Sequence, residues 1–311
     1  MNTAEMKMLW TEKYRPNKIG EIVGQEHFVM DATTWIEEGN MPNVLLFGNA
    51  GTGKTAAGIA LARGILGDSF KDNFVEVNAS DDRRLEVVRT TIKTIAQSGT
   101  IGDAPFRIIL LDELGGMTID AQSALKRMAE RFANNVRFII TCNDRSKIIH
   151  ALQSRCANYH FKPLNNEVIL GVIKSILQKE QVNVFADDEL ATFIYEVDGD
   201  LRRAITEIQA AKSSGFSLSK QIESSHKEYN EILIEILNKN PNKALTDLHK
   251  LVYEGRSVKQ ICLGLHNAII ASDGLDNTTK YKLLRTVGES EYRSTTMTPK
   301  VLLSWMVGQL I

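Results

Sequence analysis

The chain is 311 residues long, which is enough for about two or three domains, each with its own hydrophobic core. Hydrophobic residues make up 43% and charged residues 24%, close to the average for globular proteins, so the composition disfavours both a disordered chain and a membrane bundle. Thirty-seven basic and 38 acidic side chains give a formal charge of −1, which excludes a uniformly basic nucleic-acid binder. Any contact with nucleic acid is therefore expected to come from a local patch.

The cysteines and the N-terminus indicate the compartment. Cys142, Cys156 and Cys262 contain no CxxC pair, so the sequence predicts neither structural zinc nor disulfides, and a reducing compartment fits. Charged residues interrupt the apolar N-terminus, and no run reaches the roughly 18 apolar residues that a membrane span needs. We expect a cytoplasmic protein that is neither secreted nor inserted into a membrane.

Short apolar runs rich in β-forming residues predict five strands, of which the last is the weakest. The runs are residues 44–47, 74–78, 108–112, 136–142 and 158–161. Helical patterns separate them, and the clearest has apolar residues at i, i+3, i+4, i+7 and i+11 from Ala121 to Phe132. This alternation predicts an α/β fold with a doubly wound parallel sheet within residues 1–163.

Beyond residue 163 the strand pattern stops and helical patterns take over. Asp187 suits the N-cap of a helix that Gly199 can end, and Asp200 can cap the next helix. These features predict a small helical domain over residues 164–222, with a polar linker at 213–219. A second all-helical domain is predicted over residues 223–311.

The last third of the chain contains an apolar stripe at helical spacing. The stripe comprises Val258, Ile261, Cys262, Leu265 and Ile269. Thr298 and Pro299 begin a final segment, residues 301–311, that is apolar on nearly every side. We expect such a helix to be buried, and an oligomer is one way to bury it.

Residues 48–55 match the G-x-x-x-x-G-K-[ST] motif, with a predicted strand before them and a predicted helix after them. Backbone N–H groups of such a loop turn toward phosphate oxygens, Lys54 can reach the β- and γ-phosphates of ATP, and the Thr55 hydroxyl suits Mg²⁺. An ordinary glycine-rich turn is the alternative, and the strand–loop–helix context argues against it. The predicted phosphate-binding residues are Gly48, Asn49, Ala50, Gly51, Thr52, Gly53, Lys54 and Thr55.

Polar residues follow two of the predicted strands. Asp112 can hold the magnesium ion, and Glu113 can polarise an attacking water, which makes hydrolysis chemically feasible. In isolation this pair would be read as a helix cap and a solvated acid. Asn143 follows the next strand at the same sheet edge, where it can hydrogen-bond the γ-phosphate or the water; a turn-forming asparagine is the alternative.

Several segments resemble, in chain order, the small subunit of replication factor C, the AAA+ clamp loader of archaea and eukaryotes, with viral relatives. They cover residues 10 to about 210, whereas the region after 225 fits the family's collar domain only in length and helicity. The segments are Trp-Thr-Glu-Lys-Tyr-Arg-Pro at 10–16, the phosphate loop, Asn-Ala-Ser-Asp-Asp-Arg at 78–83, Asp112-Glu113 with Met117-Thr118 and Ala121-Gln122, Gln-Ser-Arg-Cys at 153–156, and Gly-Asp-Leu-Arg-Arg at 199–203.

The resemblance implies roles that the residues alone would not give. Arg155 would be an arginine finger that acts in trans on the ATP of a neighbouring subunit, and Arg202 would be the second sensor, carried by a helical lid. Without the family context, Arg155 would be read as a solvated arginine, and Arg202, in the first turn of a helix, would indicate no function. The segment that packs on adenine would comprise Tyr14, Arg15, Pro16, Ile22 and Val23.

The sequence departs from the family pattern at three places. The usual Asp-Glu-Ala-Asp is Asp112-Glu113-Leu114-Gly115 here, so the second aspartate is missing while Glu113 remains. The phosphate loop has Asn-Ala at 49–50 where Pro-Pro is commoner, which removes rigidity but no phosphate donor. Arg84 replaces a usual glycine and adds a positive charge where the family contacts DNA.

A local basic patch is predicted for DNA. Arg83, Arg84, Arg89 and Lys93 lie on or before one predicted helix, and residues 126–147 carry six basic and two acidic side chains. The resemblance implies that such helices line a subunit spiral and grip the phosphates of a primer–template duplex without reading its sequence. A solvated helix face is the alternative, because Asp81, Asp82 and Glu86 lie nearby in sequence.

The resulting expectation is an ATP-dependent clamp loader small subunit with an AAA+ domain, a helical lid and a helical collar. ATP and Mg²⁺ are its cofactors, and its partners are a large subunit, further small subunits, a ring-shaped sliding clamp and primer–template DNA, with no membrane. Its location is cytoplasmic, or nuclear if the source is eukaryotic. The alternatives are another AAA+ DNA-remodelling ATPase, and a nucleotide-binding scaffold subunit without turnover.

Overall fold

The computed structural model describes residues 8–79, 93–94, 99–182, 185–197, 199–214, 218–253, 256–272, 274–294 and 296–311. The chain divides into two compact units, Met1–Phe216 and Ser217–Ile311. None of the helices in the described ranges is long and apolar enough to cross a membrane. A finer division of the first unit, with a boundary after residue 163, stays a prediction.

A five-stranded parallel sheet forms the centre of the first unit. Its strands are β1 Val44–Phe47, β2 Phe74–Asn78, β3 Arg107–Asp112, β4 Val136–Cys142 and β5 Ala157–His160. The order across the sheet is β2-β3-β4-β1-β5, and each described pairing is parallel. The prediction of a parallel α/β sheet is confirmed, with β3 starting one residue earlier and β5 shifted by one residue.

The α-helices described in the first unit surround this sheet and extend beyond it. They are α1 Trp10–Lys13, α2 Glu26–Glu38, α3 Lys54–Leu66, α4 Phe70–Asn73, α5 Ile119–Arg131, α6 His150–Gln153, α7 Asn166–Lys179, α8 Asp187–Val197 and α9 Leu201–Ser214. Short 3₁₀ turns lie at Ile19–Glu21, Gly67–Ser69, Leu114–Gly116 and Arg145–Lys147.

Alternating strand residues supply the two faces of the sheet with separate cores. Val44 and Leu46 pack with Phe28 and Leu61, from α2 and α3, on one face. Leu45 packs with Leu125 of α5 on the other. Side chains at successive strand positions point to opposite faces, so strands buried on both sides must be apolar throughout. These two cores hold the carboxyl ends of β1, β3 and β4 at one edge.

Helices α7, α8 and α9 follow the sheet. Asp200 accepts a hydrogen bond from the Arg203 backbone N–H at 2.9 Å, as expected of the cap of α9, and Gly199 has the left-handed φ of 80°. The prediction for Asp187 is wrong: it is the first residue of α8 instead of its N-cap, and its carboxylate pairs with Lys174 at 2.8 Å. An aspartate in the first turn is favoured there by the helix dipole.

The second unit is helical in its described parts, with one hydrophobic core. Its helices are α10 Leu218–Leu237, α11 Pro241–Tyr253, α12 Val258–Ala271, α13 Asn277–Arg293 and α14 Pro299–Leu310. The predicted stripe of α12 is buried, and so are Leu302, Leu303 and Met306 of α14. Residues 213–214 and 218–219 are helical, so their assignment to a linker is wrong; residues 215–217 lie outside the described ranges.

Candidate nucleotide-binding site

A cleft of about 780 Å³ lies at the carboxyl edge of the sheet. Its walls come from the segment around α1, the phosphate loop, the ends of β3 and β4, and helices α7 and α9. Open parallel sheets bind ligands at this edge, where strand ends and helix N-termini converge. The sequence-predicted residues that line the cleft are Tyr14, Arg15, Pro16, Ile22, Val23, Ala50, Gly51, Thr52, Gly53, Lys54, Thr55, Asp112, Glu113, Asn143 and Arg202.

The phosphate loop requires glycine at two positions where its backbone lies very close to another part of the chain. A Cβ atom at Gly48 would lie 2.1 Å from the Phe161 carbonyl oxygen. A Cβ atom at Gly51, whose φ is +72°, would lie 1.7 Å from Asp200 Oδ1. Only glycine tolerates both the left-handed backbone and the contact. The loop is thereby wedged between the chain that follows β5 and the start of α9.

Lys54 lies folded into the loop. Its Nζ donates to the carbonyl oxygens of Gly48 and Asn49, both at 2.7 Å. Only 7% of the surface of Lys54 is exposed. Burial lowers the pKa of Lys54, with Arg202 acting in the same direction, while Asp112 and Glu113 oppose the shift. The ammonium group is therefore held in place beside the loop by carbonyl dipoles and nearby carboxylates.

A chain of hydrogen bonds joins the phosphate loop to the ends of β3 and β4. Thr55 Oγ1 donates to Asp112 Oδ1 at 2.8 Å, and Thr141 Oγ1 donates to the same oxygen at 2.5 Å. Thr141 Oγ1 also accepts the Glu113 backbone N–H at 3.1 Å. Thr141, which is 1% exposed, thus fixes both acidic residues.

Sequence reasoning missed Thr141. It is a hydroxyl residue within the apolar strand β4, directly before Cys142 and Asn143, and this break in an apolar run was the available signal. Buried hydroxyl groups need hydrogen-bond partners, so such a residue predicts a polar neighbour on an adjacent strand.

Glu113 turns the chain at the end of β3. Its φ of 57° and ψ of 42° place it in the left-handed region, which is uncommon for a residue with a side chain. Local strain of this kind concentrates at functional sites. Gly115, at the position of the missing family aspartate, lies against the aliphatic part of Lys147, with a built Cβ 3.4 Å from its Cδ.

Asn143 and Arg202 are exposed and face the cleft from the sheet and from α9, respectively. Arg202 lies in the first turn of α9, whose cap, Asp200, contacts Gly51. The start of α9 is thus seated directly on the phosphate loop.

Arg155 is absent from the described residues that line this cleft. Its Nη1 donates to the Ala151 carbonyl oxygen at 2.8 Å, and its Nη2 pairs with Glu130 of α5. The side chain remains 36% exposed.

The predicted DNA residues fall mostly outside the described ranges, namely Arg83, Arg84 and Arg89. Lys93 lies within the described residues 93–94, where it is helical and exposed. Within 126–147, Arg137 is half-buried and its Nε donates to the Met41 carbonyl oxygen at 2.7 Å, so it is engaged in holding the chain.

Comparisons with known proteins match both units of the chain. Residues 44–164 match the ATPase family associated with various cellular activities (AAA), and residues 224–300 match the replication factor C C-terminal domain. A RuvB variant of Thermotoga maritima has a similar structure, with a TM-score of 0.52 at 15% identity over 94% of this chain and 88% of that one. At that identity the likeness concerns the fold alone.

Curated relatives are much closer in sequence. The replication factor C small subunit of Archaeoglobus fulgidus is 39% identical over 92% of each chain. That of Thermofilum pendens is 40% identical over 92% of this chain and 90% of its own. Together with the nucleotide site and the two matched domains, this identity shows that the chain belongs to the replication factor C small-subunit family and is an ATPase subunit of a clamp loader.

Proposed function

We propose that this subunit binds ATP with Mg²⁺ in the cleft and hydrolyses it to open a ring-shaped sliding clamp and load it on primer–template DNA. The hydrogen-bonded chain Thr55–Asp112–Thr141 beside Lys54 and Glu113 carries the proposal. In this proposal Lys54 binds phosphate, Thr55 and Asp112 are the two oxygen ligands, and Glu113 is a further carboxylate of the same cleft.

The phosphate end of the nucleotide lies against the loop. Backbone N–H groups of residues 48–55 at the start of α3 face the phosphates, and the Lys54 ammonium neutralises the β- and γ-oxygens. The Thr55 hydroxyl and the Asp112 carboxylate would hold Mg²⁺, because these hard oxygen donors lie 2.8 Å apart at the loop. The chemistry that a bound Mg²⁺ would supply there is a reduction of the negative charge on the phosphates.

The remaining residues of the cleft have separate roles in hydrolysis. Glu113 accepts a proton from the attacking water, or orients it, because it lines the cleft and directly follows Asp112 in the chain. Asn143 donates to the γ-phosphate or holds the water. Arg202 reaches the phosphates from α9 of the same chain, which couples closure of the lid domain (residues 164–222) to the chemistry.

Arg155 completes the site of a neighbouring subunit. Its guanidinium lies outside the cleft of its own chain and is partly exposed. A planar fork of donors stabilises the charge that develops on the transferred phosphoryl group. Hydrolysis then depends on assembly with the large subunit or other small subunits through the collar domain (residues 223–311).

Contacts with DNA come from the local basic residues Arg83, Arg84, Arg89 and Lys93. The exposure of Lys93 supports a patch that grips phosphates without reading bases. Such a function places the protein where DNA is replicated, in the cytoplasm or in a nucleus.

The two alternatives are not favoured. A different AAA+ remodelling ATPase would not carry the replication factor C C-terminal domain at residues 224–300. A scaffold without turnover would not need Lys54, Glu113 and Asn143 in one cleft.

The test is the ATPase rate of the copurified native complex, with and without primed DNA and the cognate clamp. Clamp and primed DNA together should stimulate turnover more than unprimed DNA. An ATPase rate that ignores the clamp would contradict the proposal, and remodelling of DNA junctions without a clamp would favour the first alternative.

A further inference from the structure

One carboxylate joins the segment around α1 to two helices of the lid. Glu180, directly after α7, accepts hydrogen bonds at Oε1 from Lys13 Nζ at 2.6 Å and from the Tyr14 hydroxyl at 2.7 Å. Its Oε2 accepts Lys212 Nζ, from α9, at 3.2 Å. The Glu180 side chain is only 10% exposed, so solvent competes little for these bonds.

Further contacts tie the same segment to α7 and α9. The Trp10 backbone N–H donates to Gln209 Oε1 at 2.8 Å, and Lys212 Nζ lies 5.0 Å from the centre of the Trp10 ring. Lys179 Nζ lies 5.7 Å from the centre of the Tyr14 ring. Residues 10–14 are thus fixed to the lid by backbone, aromatic and charged contacts.

The balance of charges at this junction depends on Glu180. Burial alone would raise the pKa of Glu180, but hydrogen bonds from Lys13, Tyr14 and Lys212 outweigh it and lower the pKa from 4.5 to about 2. Without the carboxylate, Lys13 and Lys212 would face each other across the junction with no anion between them. The segment would then loosen from the lid.

The segment and α7 contribute to one wall of the cleft. Residues 11–17 contribute to this wall, together with one face of α7 that carries Val168, Val172 and Ile176. The apolar face of α7 suits a flat nucleobase, while the loop around Lys54 suits phosphates. The base-binding wall is therefore carried by pieces that Glu180 holds together.

We propose that Glu180 is a positioning residue for the base end of the nucleotide. It locks residues 10–14 to α7 and α9, so the wall that contacts the base moves with the lid as one part. This inference rests on the proposed assignment of the cleft to ATP. It separates nucleotide recognition into a base half that depends on Glu180 and a phosphate half that does not.

The experiment compares two ligands, ATP and inorganic tripolyphosphate, for Glu180→Ala and for the exposed α2 control Glu38→Ala, by calorimetric titration of the purified full-length chain. Glu180→Ala removes the acceptor of three hydrogen bonds that join the segment to the lid, so it should weaken ATP binding at least about tenfold. Tripolyphosphate binding should stay unchanged, because that ligand has no base. In the assembled complex, KM for ATP should rise while kcat at saturating ATP is kept.

Tyr14→Phe covers the case in which Glu180→Ala fails to fold. It keeps the ring and both lysine pairs and removes only the hydroxyl donor, so it should weaken ATP binding about threefold to tenfold and leave tripolyphosphate binding unchanged. Equal loss of both ligands, loss of kcat, or unchanged ATP affinity in Glu180→Ala and Tyr14→Phe would overturn the inference. Lys54→Ala tests the underlying assignment separately, since it should weaken binding of both ligands.

Discussion

The Asp200 carboxylate lies directly against Gly51, so that a Cβ atom on this glycine would be 1.7 Å from Asp200 Oδ1. Asp200 caps α9, and the next residue but one is Arg202. The backbone of the phosphate loop and the lid helix with the proposed second sensor are therefore in direct contact. A change in the conformation of the loop at Gly51 would be transmitted to Arg202 through the two residues that precede it.

This contact predicts that alanine substitution at two glycines of the loop lowers the unfolding free energy by different amounts. Gly51→Ala meets both a left-handed φ and Asp200, whereas Gly53, with φ of +90°, has no described atom within 4 Å of a built Cβ. We expect Gly53→Ala to cost about 1–2 kcal/mol of unfolding free energy and Gly51→Ala about 1–3 kcal/mol more. Urea unfolding without nucleotide measures both, and equal losses would mean that the contact with Asp200 is absent.

The proposed roles of Lys54 and Glu113 predict that binding and turnover separate. Lys54→Ala removes the cation at the phosphates and should abolish tight ATP binding. Glu113→Gln keeps the shape of the site and removes only the base that acts on water, so binding should persist while the turnover rate falls about 10²–10⁴-fold. Titration with ATP and single-turnover hydrolysis provide the two measurements. Equal loss of ATP binding in the two variants would show that Glu113 serves binding instead.

Arg155 predicts complementation between subunits. Arg155→Ala subunits should bind ATP normally and hydrolyse it poorly, because the proposed finger would act on the ATP of a neighbouring subunit. Mixing them with Lys54→Ala subunits should restore part of the activity at mixed interfaces, where an intact loop meets an intact Arg155. The readout is the ATPase rate of reconstituted mixtures across their ratio. Full-rate hydrolysis by an isolated wild-type monomer would rule out a finger in trans.

The hydrogen bonds of Thr141 predict that its substitution changes the Mg²⁺ concentration that the ATPase requires. Thr141→Val keeps the volume but removes the hydroxyl that donates to Asp112 and accepts the Glu113 N–H. We expect about 1–3 kcal/mol lower stability and a higher Mg²⁺ concentration for half-maximal ATPase activity, since Asp112 loses one of the two hydroxyl groups that donate to it. Thr141→Ser, which keeps the hydroxyl, is the matched control. The same Mg²⁺ requirement in both variants would remove Thr141 from the site.

Glu180 predicts a stability difference that depends on pH. Its pKa is about 2 in the folded protein, below the ordinary value of 4.5, so its ionised form stabilises the fold above about pH 4.5. That contribution is lost as the pH falls from about 4.5 toward 2, where the group becomes protonated in both states. The unfolding free energy of wild type minus that of Glu180→Gln should be positive at pH 6 and should shrink toward pH 2. A difference that is constant with pH would assign the effect to packing.

The amino-acid sequence by itself determined the sheet and the loop at residues 48–55 that follows its first strand. Both depend on local patterns: strands buried on two faces must be continuous apolar runs such as 44–47, and a loop that wraps phosphate needs glycines and Lys54 at fixed spacing. The sequence also placed Asp112, Glu113 and Asn143 correctly at one edge, because parallel strands carry their carboxyl ends to the same side.

Only the tertiary structure decided the contacts that hold these residues in position. Tyr14 and Glu180 are 166 residues apart, and Thr141 and Asp112 are 29 apart on neighbouring strands. Neither pair has a local pattern, since a carboxylate after a helix and a threonine in a strand are ordinary features of many sequences. The roles of these residues become apparent only in the folded protein. Packing of the sheet and the lid reduces the access of water to them, and a buried polar group must then find its hydrogen-bond partner within the fold.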